Sequence, residues 1–286
     1  VMEMAETAGL ARLAESERDI MRASTAGVGR MLRHAARQSR ADGILVGLGG
    51  SATNDGGAGM AASLGIAFRD ERGWELEPVP EALVDLAEVC LGGRVGLPRI
   101  EVAFDDDNPV LRTNWATAVY GPQKGASPED EKRLEAFLEK LVHRTGGIEL
   151  AGMAGTGAAG GLGFGLVQFA DAVLRPGFDM VADALGLEDK IASADVVITG
   201  EGSLDAQTLA GKGPAGVARM AREAGVPVVG VGGQVTPEVR ESGLFDHLGT
   251  LEVFGLSKAT CMSRAADLLQ MTGTTLADLL RGTVPS

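Results

Sequence analysis

Apolar residues come in short blocks along the chain, and the blocks are of two kinds. Gly43 to Leu48, Ile100 to Phe104, Asp195 to Thr199 and Pro227 to Val231 are strand-length runs, partly β-branched, each closed by glycine or acid. They predict buried strands followed by tight turns, with Gly49-Gly50, Asp105 to Asp107, Gly200-Glu201-Gly202 and Gly232-Gly233 in the turns. Elsewhere apolar positions recur at helical spacing. Leu134, Phe137, Leu138, Leu141 and Val142 form one stripe of a helix over Glu129 to Val142. A second helix is expected over Ala215 to Ala224, with Pro214 near its start. This alternation predicts an α/β fold with a mostly parallel sheet, whose ligands sit at the carboxyl ends of the strands. The unusual residues gather at those ends.

Composition narrows the function. A chain of 286 residues, 45% hydrophobic, can bury the core of one large domain or two smaller ones. Its formal net charge of -13 argues against a nucleic-acid groove or a membrane-binding face, which need clustered Lys and Arg. An anionic ligand stays open, because backbone N–H groups and helix N-termini bind phosphate whatever the net charge. Cys90 and Cys261 stand isolated, fit a reducing cytosol, and are expected as small buried hydrophobes. No membrane-length apolar run or signal peptide is visible. Glycine is the outlier: 42 residues, clustered at the ends of apolar runs, where the backbone must come close to something.

Four segments carry candidate chemistry. Gly47 to Met60 runs from a strand through a glycine-rich loop with Ser51, Thr53, Asn54 and Asp55 into an expected helix. Converging N–H groups and hydroxyls suit a phosphate or carboxylate, and Asp55 suits a metal or a substrate hydroxyl. The spacing is neither that of a Walker A loop nor that of a dinucleotide fingerprint, and a helix-capping turn is the alternative. Gly152 to Gly165 permits close approach of backbone to a ligand, or of helix to sheet, and the residues do not choose. Thr199 to Thr208, followed by Lys212, offers two carboxylates and a cation, a set suited to phosphoryl transfer. Asp205 would orient or deprotonate the acceptor and Lys212 would meet phosphate, unless the segment is a dressed helix start. Asp105 to Asp107 repel one another unless a cation is near, and Lys124 of Tyr120 to Ala126 is the candidate; an exposed acidic turn is the alternative. His34, His143 and His247 are scattered, on expected surfaces or helix faces, without ligand spacing.

In order and spacing these segments resemble the signature segments of bacterial glycerate kinases, over about Glu3 to Leu280. The resemblance implies transfer of the ATP γ-phosphoryl group to D-glycerate, usually at the 2-hydroxyl, with Mg2+, in the cytoplasm. It implies a two-domain type I fold with mostly parallel sheets, one domain being incomplete here. Residues 1–188 would form the central domain, and 189–286 the C-terminal part of a Rossmann or flavodoxin-like domain lacking its first strands. Asp205 and Asp55 would be catalytic. Ser51, Thr53, Asn54, Gly56, Lys124, Gly155, Gly157, Glu201 and Lys212 would bind substrate or phosphate, and Asp105 would bind metal. A homodimer is open beside a monomer. The chain departs from the family in lacking an Asp-Ser-Phe-Lys-Gly segment ahead of Val1, in Arg30 where a glutamate is usual, and in Arg112 to Trp115 where a glycine turn is usual. Phe104 also stands where the family tends to have cysteine. These departures keep a second reading open: a binding homologue without catalysis, or a fragment of the enzyme.

Overall fold

A computed structural model of the protein describes residues 1–38, 42–93, 95–111, 117, 120–209 and 213–280. The chain divides into two compact units, Val1–Gly177 and Phe178–Ser286. The division falls at the start of the Gly177–Leu185 helix, ahead of the expected boundary after residue 188.

In the first unit, β1 (Met2–Glu3), β2 (Gly43–Gly47), β5 (Arg99–Phe104) and β6 (Val173–Pro176) form a parallel sheet in the order β1-β2-β5-β6. Register places Ile44 beside Ile100 and Val46 beside Val102, all four buried, so apolar rows run straight across the strands. A separate antiparallel pair joins β3 (Ala67–Arg69) to β4 (Glu88–Cys90). Phe169 anchors the core, edge-on to Phe68 at 6.1 Å and to Phe164 at 6.4 Å. The expected helix extends over Pro128–Thr145 and buries its whole predicted stripe. Its start is a reciprocal cap: the Asp130 N–H donates to Ser127 Oγ at 3.2 Å, and the Ser127 N–H donates to Asp130 Oδ2 at 3.1 Å.

The second unit holds β7 (Val197–Leu204), β8 (Val228–Val235) and β9 (His247–Thr250), parallel in that order. The helix Gly213–Glu223 packs Ala218 and Ala221 with Leu204, Val228 and Val235. Two strands are longer than their apolar runs. Gly200, Gly202, Gly232 and Gly233 lie inside β7 and β8 and not in turns, which corrects the sequence expectation. The pairing explains it: Gly200 lies opposite Val231 and Glu201 opposite Gly232, and a Cβ on Gly200 would collide with the Val231 carbonyl. Glycine lets the ladder continue past the point where the hydrophobic pattern ends.

Cys90 and Cys261 are unpaired and half-buried, not buried as expected. One closes a two-stranded sheet, and the other rides the short Lys258–Ser263 helix. His34 and His143 lie exposed on helices, while His247 is half-buried in β9. No helix among the described residues is long and apolar enough to cross a membrane.

Candidate functional site

Parallel strands deliver both sets of candidate residues to their carboxyl ends. In the first unit, Leu48 to Gly57 leaves β2 and enters the Ala58–Ser63 helix. The loop is stitched down: the Ala52 N–H donates to the Ala8 carbonyl at 2.9 Å and the Gly56 N–H to the Gly160 carbonyl at 3.0 Å. Asp55, expected to hold substrate or metal, is 0% exposed. Its Oδ2 accepts from the Thr25 N–H (2.7 Å), the Thr25 hydroxyl (2.8 Å) and the Gly59 N–H (3.1 Å), and its Oδ1 from the Gly57 N–H (3.1 Å). Burial pushes the carboxyl above its usual pKa, and these donors pull it back. Thr25 Oγ1 in turn accepts from the Met60 N–H at 2.9 Å. Asp55 therefore ties the starts of the Ala26–Gln38 and Ala58–Ser63 helices to the loop between the strand and the second of them.

Lys124 enters the same loop from the short 3-10 turn Pro122–Lys124. It is 4% exposed, and its Nζ donates to Ser51 Oγ and to the Thr53 carbonyl, each at 2.8 Å. Burial lowers the ammonium pKa to about 8, with the charges of Asp55 and Asp106 acting the other way. The lysine thus senses Asp106 of the acidic turn, while Asp105 stands exposed at the end of β5. Tyr120 hydrogen-bonds Asp106, and burial followed by that charge raises its phenol pKa. The Asn54 side-chain amide donates to Thr117 Oγ1 at 3.1 Å. Thr53 Oγ1 is buried with no hydrogen-bond partner among the described residues.

The Gly152 to Gly165 segment resolves toward packing. Ala159, Gly160 and Gly161 interrupt the Ala158–Ala170 helix with φ of 55°, 68° and 83°. A Cβ on Gly160 would strike the Thr53 carbonyl, one on Gly161 would lie 2.9 Å from Gly56 Cα, and one on Gly165 would lie 2.7 Å from Gly57 Cα. Two glycine-rich segments that the sequence offered separately to a ligand are pressed on each other. Gly155 (φ 80°) faces the Phe104 ring, and Gly157 faces the Asn108 and Pro109 carbonyls, both at 2.7 Å from the added Cβ. Both of these glycines, expected to bind phosphate, have close packing neighbours.

In the second unit, Asp205 follows β7 and opens the Ala206–Leu209 turn of helix. Its Oδ2 accepts from Ser203 Oγ at 3.1 Å and its Oδ1 from the Gln207 N–H at 2.9 Å. The Thr208 hydroxyl donates to Glu201 Oε1 at 2.5 Å and accepts from the Asp205 N–H at 3.1 Å. Glu201 and Ser203 also line a cleft of about 970 Å3 between the sheet and the segment running from Leu251 into the Ala265–Leu280 helix. Gly202 and Gly255 leave the cleft wall bare, with open space where a Cβ would be. Glu252, Leu256, Lys258 and Met262 are among its other lining residues. Lys212 and Arg112 to Trp115 lie outside the described residues. Arg30 is exposed on the Ala26–Gln38 helix and lines a shallow depression with Arg12 and His34. Thr25, Thr208 and Lys258 escaped sequence reasoning. Only Thr25 left a signal there, a hydroxyl just ahead of a helix.

Parallel sheets alternating with helices define an α/β protein. Comparison with known proteins identifies which one: residues 1–281 match the model of the glycerate kinase family. The chain is 40% identical over 241 residues to the glycerate kinase of Halalkalibacterium halodurans, covering 82% of this chain and 63% of that protein. To the glycerate 2-kinase of Escherichia coli it is 38% identical over 245 residues, covering 83% and 64%. A crystal structure provisionally described as glycerate kinase 2, from Salmonella typhimurium LT2, superposes with a TM-score of 0.76 at 37% identity. That match covers 99% of this chain and 75% of the other. The chain belongs to the glycerate kinase family, and it spans less than two thirds of the length of these two curated relatives.

Proposed function

We propose that the protein containing this chain phosphorylates D-glycerate at the 2-hydroxyl with ATP, in the cytoplasm. The observation that carries the reading is the family match over residues 1–281. The position of transfer follows the name of the Escherichia coli relative. In this reading Asp205 takes the hydroxyl proton as the glycerate oxygen bonds the γ-phosphorus and the bond to ADP breaks. Glu201 and Ser203 fix Asp205 through Thr208 and the serine hydroxyl.

The cleft of the second unit takes the nucleoside. Its apolar wall of Leu251, Leu256, Met262 and Leu269 suits a base, and Glu201 and Glu252 suit ribose hydroxyls. Two carboxylates against Lys258 disfavour a small organic acid in the same place. Lys212 meets phosphate. Among the described residues no three acids, histidines or cysteines gather around a point. Mg2+ takes one or two carboxylates and completes its shell with substrate phosphates and water. Asp105, in the first unit, is the proposed ligand of this ion. A homodimer remains compatible with this reading.

The test is D-glycerate-dependent release of ADP from Mg-ATP by purified protein, with phosphorus NMR to separate 2-phosphoglycerate from 3-phosphoglycerate. ADP release that ignores D-glycerate would end the proposal. Formation of 3-phosphoglycerate would correct only the position.

A further inference from the structure

Lys124 has an unusual environment for a residue proposed to meet phosphate. The residue is 4% exposed, and its ammonium already donates to two groups of one loop, Ser51 Oγ and the Thr53 carbonyl. The arm that carries it is rigid. Pro122 opens the turn, and Gly125 closes it at φ 93°, where a Cβ would lie 2.8 Å from the Arg18 carbonyl. The Arg18 guanidinium fastens the other side by donating to the Gln123 carbonyl at 3.1 Å. The charges that act on the ammonium come from two further elements, Asp55 in the loop itself and Asp106 after β5, the latter bonded to Tyr120. Without the lysine, a buried carbonyl and a nearly buried hydroxyl would both lose their donor, and loops answer such a deficit by moving.

We propose that Lys124 is a positioning residue: it fixes the shape of the Ser51 to Asp55 loop from inside and touches no phosphate. The proposal rests on the reading of this loop as part of the glycerate kinase site. Asp55 performs the matching task from the other side, through Thr25, Gly57 and Gly59. The loop is thereby held between one cation and one anion, both supplied by the protein.

The experiment compares wild type with Lys124→Met at a temperature where circular dichroism shows both folded. Hydrogen exchange at the amides of residues 51–57 should quicken in the variant without any ligand. The variant's kcat should fall by about tenfold or more, while its Kd for ADP stays within about threefold. The wild-type kcat should decline as pH rises past the lysine's value of about 8, and the variant's should not. Loss of ADP affinity with unchanged loop exchange would overturn the proposal in favour of a direct phosphate contact. An unchanged kcat would reduce the lysine to a stabilising residue and overturn it equally. If Lys124→Met does not fold, Ser51→Ala, which removes one acceptor, carries the same exchange and kinetic measurements. Wild-type protein without D-glycerate-dependent turnover would sink the functional reading alone, since the exchange comparison still tests the lysine.

Discussion

The two units use the same few residue types in opposite ways. In the first, the Gly-Gly-Ser-Ala-Thr-Asn-Asp-Gly-Gly run from Gly49 to Gly57 is mostly buried, and its carboxylate and its lysine partner face protein donors and acceptors. Its glycines serve contact between backbones. In the second, the Gly-Glu-Gly-Ser run from Gly200 to Ser203 stays within a strand, Gly202 has open space beside it, and Asp205 keeps a half-exposed position. The same composition therefore builds a scaffold in one place and a bare wall in the other. Burial makes the difference: a carboxylate sealed among N–H groups holds a shape, and a half-exposed one such as Asp205 is free to exchange a proton.

The largest test of this contrast is Asp205→Asn. Asparagine caps a helix as well as aspartate, so melting should hardly change. Loss of a general base should lower kcat by about a hundredfold to ten-thousandfold in a steady-state ADP assay. Full turnover would make Asp205 a cap and nothing more.

Next in size is the pH response of Lys124. Burial lowers its pKa from 10.5 to about 8, so between those values the unfolded chain binds the additional proton. Stability therefore rises with pH across that window, by about 3 kcal/mol at most from this group. Urea denaturation at about pH 7 and about pH 10 should show the gain in wild type and its loss in Lys124→Met. Equal pH responses would mean that the lysine is not sealed as described. This gain in global stability is compatible with a looser loop, since the neutral amine relieves the cost of burial while weakening its hydrogen bonds.

Gly165→Ala comes third. The new Cβ would sit 2.7 Å from Gly57 Cα and 2.6 Å from the Gly56 carbonyl, where only backbone can yield. A cost of about 2–3 kcal/mol is expected from urea titration. Smallest is Gly202→Ala, whose Cβ meets nothing within 4 Å; stability should stay within about 0.5 kcal/mol. If both alanines cost the same, the distinction between scaffold and wall fails.

Much was legible beforehand, for reasons that differ by element. The Pro128–Thr145 helix announces itself because its stripe repeats over several turns and a Ser-Pro start precedes it. β2 announces itself by its Ile-Leu-Val run between glycines, and β5 by Ile100, Val102 and Phe104 at alternate positions. β7 and β8 were shortened in the reading because glycine carries no hydrophobic signal, although opposite Val231 it is what permits the strand to continue. The site was legible as a set of segments and not as a set of roles. Gly155, Gly157, Asp55 and Lys124 look alike in sequence whether they face a ligand or the protein.

The sequence by itself determined the α/β alternation, the placement of Asp105 and Asp205 just after strands and the family, because these rest on local periodicity and on long motifs in order. Tertiary structure alone decided that Gly56 and Gly57 meet Gly161 and Gly165, that Asp55 reaches back to Thr25, and that Lys124 reaches Ser51. Those partners lie 30 to 73 positions away along the chain where hydrogen bonds join them. No local pattern reports which donor will fill a carboxylate's lone pairs once water is excluded. The glycine loop that reads as a ligand cradle is, in the folded chain, first a joint between two segments of the protein's own backbone.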